Sequence, residues 1–186
     1  MAQQRFWKEF YQLKVQINFV QKLLLQAEQS ERMTKMFIAI TSSASIGAWV
    51  IWKDFALLWG AIIAGSQVLT VIYPYLPYRE RQKSYASILR ELEMLFIDAE
   101  HKWQTVADGS LTNRQIDKER NLLNKKKNDV LNKFLPSSAF PAEPKIADLS
   151  EKEAERYFSY FYPQEDGDDL IEALLPAEES SPTRAA

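Results

Sequence analysis

The sequence contains no cysteine and a single histidine, His101. Disulfides, thiolate nucleophiles and thiolate metal sites are thereby excluded, and so is a multi-histidine metal centre within one chain. Glycine is scarce, at five residues in 186. The glycine-bearing signatures G-x-x-x-x-G-K-[ST], G-x-G-x-x-G and G-x-S-x-G are all missing, as is H-E-x-x-H. With so few nucleophile–base combinations the sequence reads as a non-enzyme, with no catalytic residue, no metal and no resident cofactor expected. His101, between Glu100 and Lys102, reads as a surface or packing residue. Charge of one sign is also lacking. Lys and Arg number 23 against 25 Asp and Glu, a formal net charge of −2, which argues against a general nucleic-acid coat. The first residues lack the apolar stretch of a signal peptide, because Arg5, Lys8, Glu9, Lys14 and Lys22 interrupt them.

What is present, despite a mean hydropathy of only −0.32, is a pair of uncharged runs. Residues 37–52 read FIAITSSASIGAWVIW and residues 55–78 read FALLWGAIIAGSQVLTVIYPYLPY, separated by Lys53 and Asp54. A membrane-spanning helix needs roughly 20 apolar residues, so the sequence predicts a two-helix transmembrane hairpin over residues 36–78, with spans near 36–52 and 55–76. Trp49, Trp52, Trp59, Tyr73, Tyr75 and Tyr78 suit the two membrane interfaces. Arg32, Lys35, Arg79, Arg81 and Lys83 flank the runs. By the positive-inside rule they place both termini in the cytoplasm of a multi-pass bacterial inner-membrane protein. Small residues four apart, such as Ala56/Gly60 and Ala61/Gly65, permit close helix packing within the hairpin or between subunits. Ser42, Ser45, Ser66, Gln67 and Thr70 are polar groups near mid-run. They fit either interhelical hydrogen bonds or the lining of a pore in an oligomer.

The rest of the chain reads as helical. Phe6, Phe10, Leu13, Ile17, Val20, Leu24 and Ala27 alternate four and three apart, predicting an amphipathic helix over residues 1–35 with a coiled-coil-like stripe. A cytoplasmic helical domain over 79–135 follows. Its first helix, expected to run on past Pro74 and Pro77, carries Tyr85, Leu92, Ala99, Trp103 and Val106 and ends at Asp108–Gly109. Thr112 and Gln115 form a capping box for the next helix, whose stripe is Ile116, Leu123, Val130 and Phe134. A Pro-rich linker over 136–148 and a short aromatic helix over 149–162 complete the folded part. The acidic tail, 163–186, is expected to be disordered. The fold class is therefore all-α: a transmembrane hairpin, a cytoplasmic helical bundle and a disordered tail.

Three groups are candidates for binding a ligand or partner. Lys125, Lys126 and Lys127 are either a solvated helix face or a site for an anion. Tyr157, Phe158 and Phe161 are either anchors to the core or a stacking surface for a nucleotide base. Leu170 and Leu174 lie in the apolar island LIEALLP, which suits a docking helix.

The order of these parts resembles the SLATT family, the two-transmembrane effector modules of bacterial conflict systems. The resemblance rests on GAWVIWKDFALLWG, PYRERQKSYASILRELEML, HKWQTVADGSLTNRQID and EAERYFSYFY, and covers roughly residues 5–162. It implies a homo-oligomeric, pore-forming effector of the inner membrane that acts as a gated ion channel in antiviral defence. Control would come from a nucleotide or oligonucleotide ligand, or from a partner nucleotidyltransferase. The alternative on the residues themselves is a non-conducting, membrane-anchored adaptor that recruits a cytoplasmic partner through its helical stripes.

Overall fold

The computed structural model describes residues 2–44, 56–76, 78–135 and 140–163. Among them the structure is 91% helical with no strand, which bears out the all-α class. Among the described residues, α-helices run in the order α1 (Ala2–Ala44), α2 (Ala56–Ile72), α3 (Tyr78–Ala107), α4 (Asn113–Phe134) and α5 (Pro144–Phe161). A 3₁₀ turn, Tyr73–Tyr75, separates α2 from α3.

α1 is the organising element. It has 43 residues, about 65 Å at 1.5 Å per residue, and it contains neither glycine nor proline. It packs against each of the other four described helices. Its stripe is the expected one: Phe6, Phe10, Leu13 and Val20 are fully buried and Ile17 nearly so. At the far end Leu23 is buried, and Leu24 only packs against the core edge. The opposing surface is the stripe of α3, with Tyr85, Ile88, Leu92, Leu95, Phe96, Ala99 and Val106. α4 contributes Ile116, Leu123 and Val130, seven apart, so each lands on one face at every second turn. α5 lies along α1 and inserts Ala154 and Phe158.

Aromatic rings fill the centre. Phe10 stacks on Phe96 at 4.8 Å between centroids and meets the edge of Phe158 at 5.1 Å. Trp7 packs on Trp103 at 4.6 Å. The axial position of α5 is fixed by polar groups inside this apolar contact. Asn18 Nδ2 donates to the Ser150 carbonyl at 3.2 Å, and both residues are buried. Ion pairs rim the bundle, among them Arg5–Asp117 at 3.2 Å, Lys127–Glu9 at 3.3 Å, Lys133–Glu91 at 2.6 Å and Lys102–Glu119. Exposed pairs of this kind stabilise by about 0–1 kcal/mol each, so they orient α4 more than they hold it.

The helix ends follow local rules. α3 stops where Gly109 takes φ +70°, a left-handed conformation that glycine adopts without a Cβ clash. The capping box is present: the Thr112 backbone N–H donates to Gln115 Oε1 at 2.9 Å. The prolines act earlier than expected. Instead of running into α3, α2 ends at Ile72 because Pro74 removes a backbone donor and Pro77 disfavours helix at the residue before it. α5 begins at Pro144, four residues or more ahead of the expected start, since proline is well accommodated in the first helical turn.

The membrane expectation is corrected. Among the described residues no helix is long and apolar enough to cross a membrane. This overturns the multi-pass inner-membrane placement with both termini cytoplasmic. The 17 residues of α2 span about 25 Å, short of a hydrocarbon core of about 30 Å. The apolar end of α1 is the continuation of a helix that still carries Glu31, Arg32 and Lys35. Residues 45–55, where the turn of the hairpin was expected, lie outside the described residues, as do the tail residues 164–186.

Candidate functional site

Beyond Leu23, α1 leaves the core and continues as one side of an arm, with α2 packed along it as the other. Much of the arm's surface is apolar, although Arg32 and Lys35 on α1 and Gln67 and Thr70 on α2 are exposed too. Met33, Met36, Phe37 and Ile40 are exposed on α1, and Leu57, Leu58, Val68, Val71 and Ile72 on α2. Leu57 is 92% exposed and Val71 68%, whereas the large apolar residues of the bundle stripe are closed.

The two sides of α2 differ. Towards α1 it turns Ser66, only 3% exposed, together with the half-buried Ile62, Ile63 and Leu69. Away from α1 it turns Leu57, Gly60, Ala61, Ala64, Gly65 and Val68, all exposed. A Cβ built on Gly60 or Gly65 would meet nothing within 4 Å. The small residues therefore do not serve the packing of α2 on α1. They leave a shallow open seam between larger apolar side chains.

Polar groups of the arm are mostly satisfied within their own helix. Ser66 Oγ donates to the Ile63 carbonyl and Thr70 Oγ1 to the Ser66 carbonyl, each at 2.8 Å. Thr41 Oγ1 does the same to the Phe37 carbonyl at 2.8 Å. Ser66 is buried while Gln67 and Thr70 are exposed, so the structure does not gather these candidates on one lining. Ser45 and the side chain of Ser42 lie outside the described residues.

The other candidates separate as well. Lys126 pairs with Asp98 at 3.4 Å and Lys127 with Glu9 at 3.3 Å, so two of the three lysines bind their own bundle, and Lys125 is exposed. Phe158 is 5% exposed and faces Trp7, Phe10 and Tyr11. Tyr157 presents its ring to the Lys14 ammonium at 4.1 Å. The aromatic segment therefore anchors α5, and only Tyr160 and Phe161 stand out from the surface. Leu170 and Leu174 lie outside the described residues. Among the described residues no group of His, Cys, Asp and Glu could hold a metal ion.

A buried-rim network secures that anchor. Glu100 Oε1 accepts from the hydroxyls of Tyr157 at 3.1 Å and Tyr162 at 2.8 Å. Burial and the Glu100 charge push the Tyr157 pKa up to about 12 and raise that of Tyr162. Burial lowers the Lys14 pKa, against the opposing pull of Glu100 and Glu93. The fold thus favours neutral Tyr157. Its contribution is whole below the ordinary value of 10.0 and is lost as pH rises through about 12. A tyrosinate absorbance titration should show Tyr157 and Tyr162 ionising well above 10, with loss of helicity in the same range. Ionisation of Tyr157 and Tyr162 near the ordinary value of 10.0 would show that the network does not form.

Sequence reasoning missed Glu31, Asn18 and Glu100, which accepts from Tyr157 and Tyr162. Glu31 had one local signal, its spacing of four from Lys35, but its other partners are Tyr73 and Gln82, 42 and 51 residues away. No family model matches the chain, and no curated protein or solved structure matches it at a significant level.

Proposed function

We propose that this chain is a helical assembly module: a bundle that carries an apolar arm through which copies of the same chain associate. The observation that supports this reading is the uncovered outer face of α2, where Leu57, Val68 and Ile72 flank a seam open at Gly60 and Gly65. Water gains from the removal of such a face at about 25 cal/mol per Å². Contiguous apolar surface of this kind marks a partner site on a polar protein.

A second copy is the occupant that fits. Residues 56–72 contain no charged side chain, so nothing on the face asks for a partner of opposite charge. A seam of small residues beside larger ones is self-complementary: the ridge of one helix enters the groove of its mate. This suits a twofold contact, in which the same patch serves both subunits. Both functions weighed on the sequence, a pore and a membrane-anchored adaptor, placed the chain in a membrane; of the adaptor, this reading keeps the docking role without the anchor. A pore needs helices that cross a membrane. Assembly would be the output of the arm. The bundle would be where a nucleotide signal or a nucleotidyltransferase acts, as the family resemblance implies.

Sedimentation analysis of the full chain over a wide concentration range tests the reading. The expected result is a rise in mass to a discrete multiple of the 21.6 kDa chain. A single-chain mass at every concentration, or capture by lipid vesicles without self-association, would overturn it.

A further inference from the structure

The arm is joined to the bundle by two strands of chain of unequal stiffness. α1 passes through as an unbroken helix. The return path is interrupted by the 3₁₀ turn Tyr73–Tyr75 before α3 begins at Tyr78. A helix without glycine or proline resists bending, whereas a turn containing Pro74 is where direction can change. At this junction lies Glu31, 9% exposed. Its Oε1 accepts from the Tyr73 hydroxyl at 2.9 Å and pairs with Lys35 Nζ at 2.6 Å, while its Oε2 accepts from Gln82 Nε2 at 2.6 Å. Gln82 Nε2 also reaches the Ala27 carbonyl at 3.4 Å. One carboxylate therefore ties together α1, the turn that ends α2, and the first part of α3.

We propose that Glu31 is a latch that fixes the arm to the bundle and sets which face of α2 is turned outward. The clause about the outward face rests on the assembly reading above; the latch itself does not. Its placement supports a conformational role. The groups it joins lie on both sides of the only helical break at the arm's root among the described residues. Around the carboxylate, the charged and titratable groups are Lys35 on α1 and Tyr73 on the turn, with neutral Gln82 on α3. Hydrogen bonds from Lys35, Gln82 and Tyr73 hold the Glu31 pKa down, from 4.5 to about 2. The bonds it makes as a carboxylate are thus whole above the ordinary value and fade only as pH falls toward about 2.

Because the native sequence has no cysteine, two labels can be placed without background. Thr70→Cys on the arm and Lys125→Cys on the bundle, both exposed, would carry spin labels for a distance measurement at a concentration where the chain is single. A single narrow distance peak is expected in the otherwise native protein. Loss of that peak is expected in Glu31→Ala and in the milder Tyr73→Phe, with bundle helicity and its melting unchanged. A native-like peak in both variants would overturn the latch, and so would melting of the bundle in both, which would make Glu31 a support of the core. Distances are read within one chain. A native chain that never self-associates therefore sinks the assembly reading and leaves the latch to be judged on its own result.

Discussion

Replacing Phe10 by alanine is expected to destabilise the bundle by about 3–5 kcal/mol, the usual range for removing a fully buried phenylalanine. Phe10 is 0% exposed. It stacks on Phe96 of α3 at 4.8 Å and meets Phe158 of α5 at 5.1 Å. Trp7, one turn earlier, closes on the same ring at 5.9 Å. Three helices thus lose their common contact at once. None of the neighbours can refill the gap, because each is already engaged: Phe158 against Trp7, Phe96 against Tyr157. Unfolding in urea, followed by helicity and by tryptophan fluorescence, to which Trp7 and Trp103 of the core contribute, would measure the loss. Tyr160→Ala, at a ring 78% exposed, serves as the control and should shift stability by no more than about 0.5 kcal/mol. A Phe10→Ala loss below about 1 kcal/mol would mean that α5 does not pack as described.

That core was legible because its pattern is local. The four–three alternation of Phe6, Phe10, Leu13, Ile17 and Val20 requires only helical periodicity, and burial follows from it. The cap at Thr112 and the stop at Gly109 are likewise short-range chemistry. What the sequence hides is where one element yields to another. Arg32 and Lys35 suggested a boundary before the first apolar run, yet a helix needs no apolar face to continue, and α1 passes through them. Uncharged runs speak of burial without saying by what. Residues 56–72 are apolar on both sides, and a spanning helix and an assembly face share that composition. Only the helix length speaks against a spanning helix. The Glu31 junction was hidden for a different reason: Tyr73 and Gln82 reach it across 42 and 51 residues, beyond any periodicity.

Placing a carboxylate in the seam should have the largest effect on association. Val68 is 57% exposed in the single chain, so Val68→Asp adds a solvated charge there, with no neighbour displaced from a core, and the fold should tolerate it. In a contact between two arms the same charge would be buried. A twofold contact would bring in two of them, and residues 56–72 offer no cation to pair with either. An unpaired buried charge costs several kcal/mol, and each 1.4 kcal/mol is about a factor of ten in affinity. Association should therefore weaken by about two orders of magnitude or more in sedimentation, while the melting of the bundle stays at its native value. Met94→Asp supplies the comparison. Met94 is 64% exposed on α3, away from the arm, and a charge there adds the same solubility without entering the seam. If both substitutions weaken association equally, the contact depends on general surface hydrophobicity and the seam is not the interface. If Val68→Asp alone weakens it, the outer face of α2 is where the copies meet.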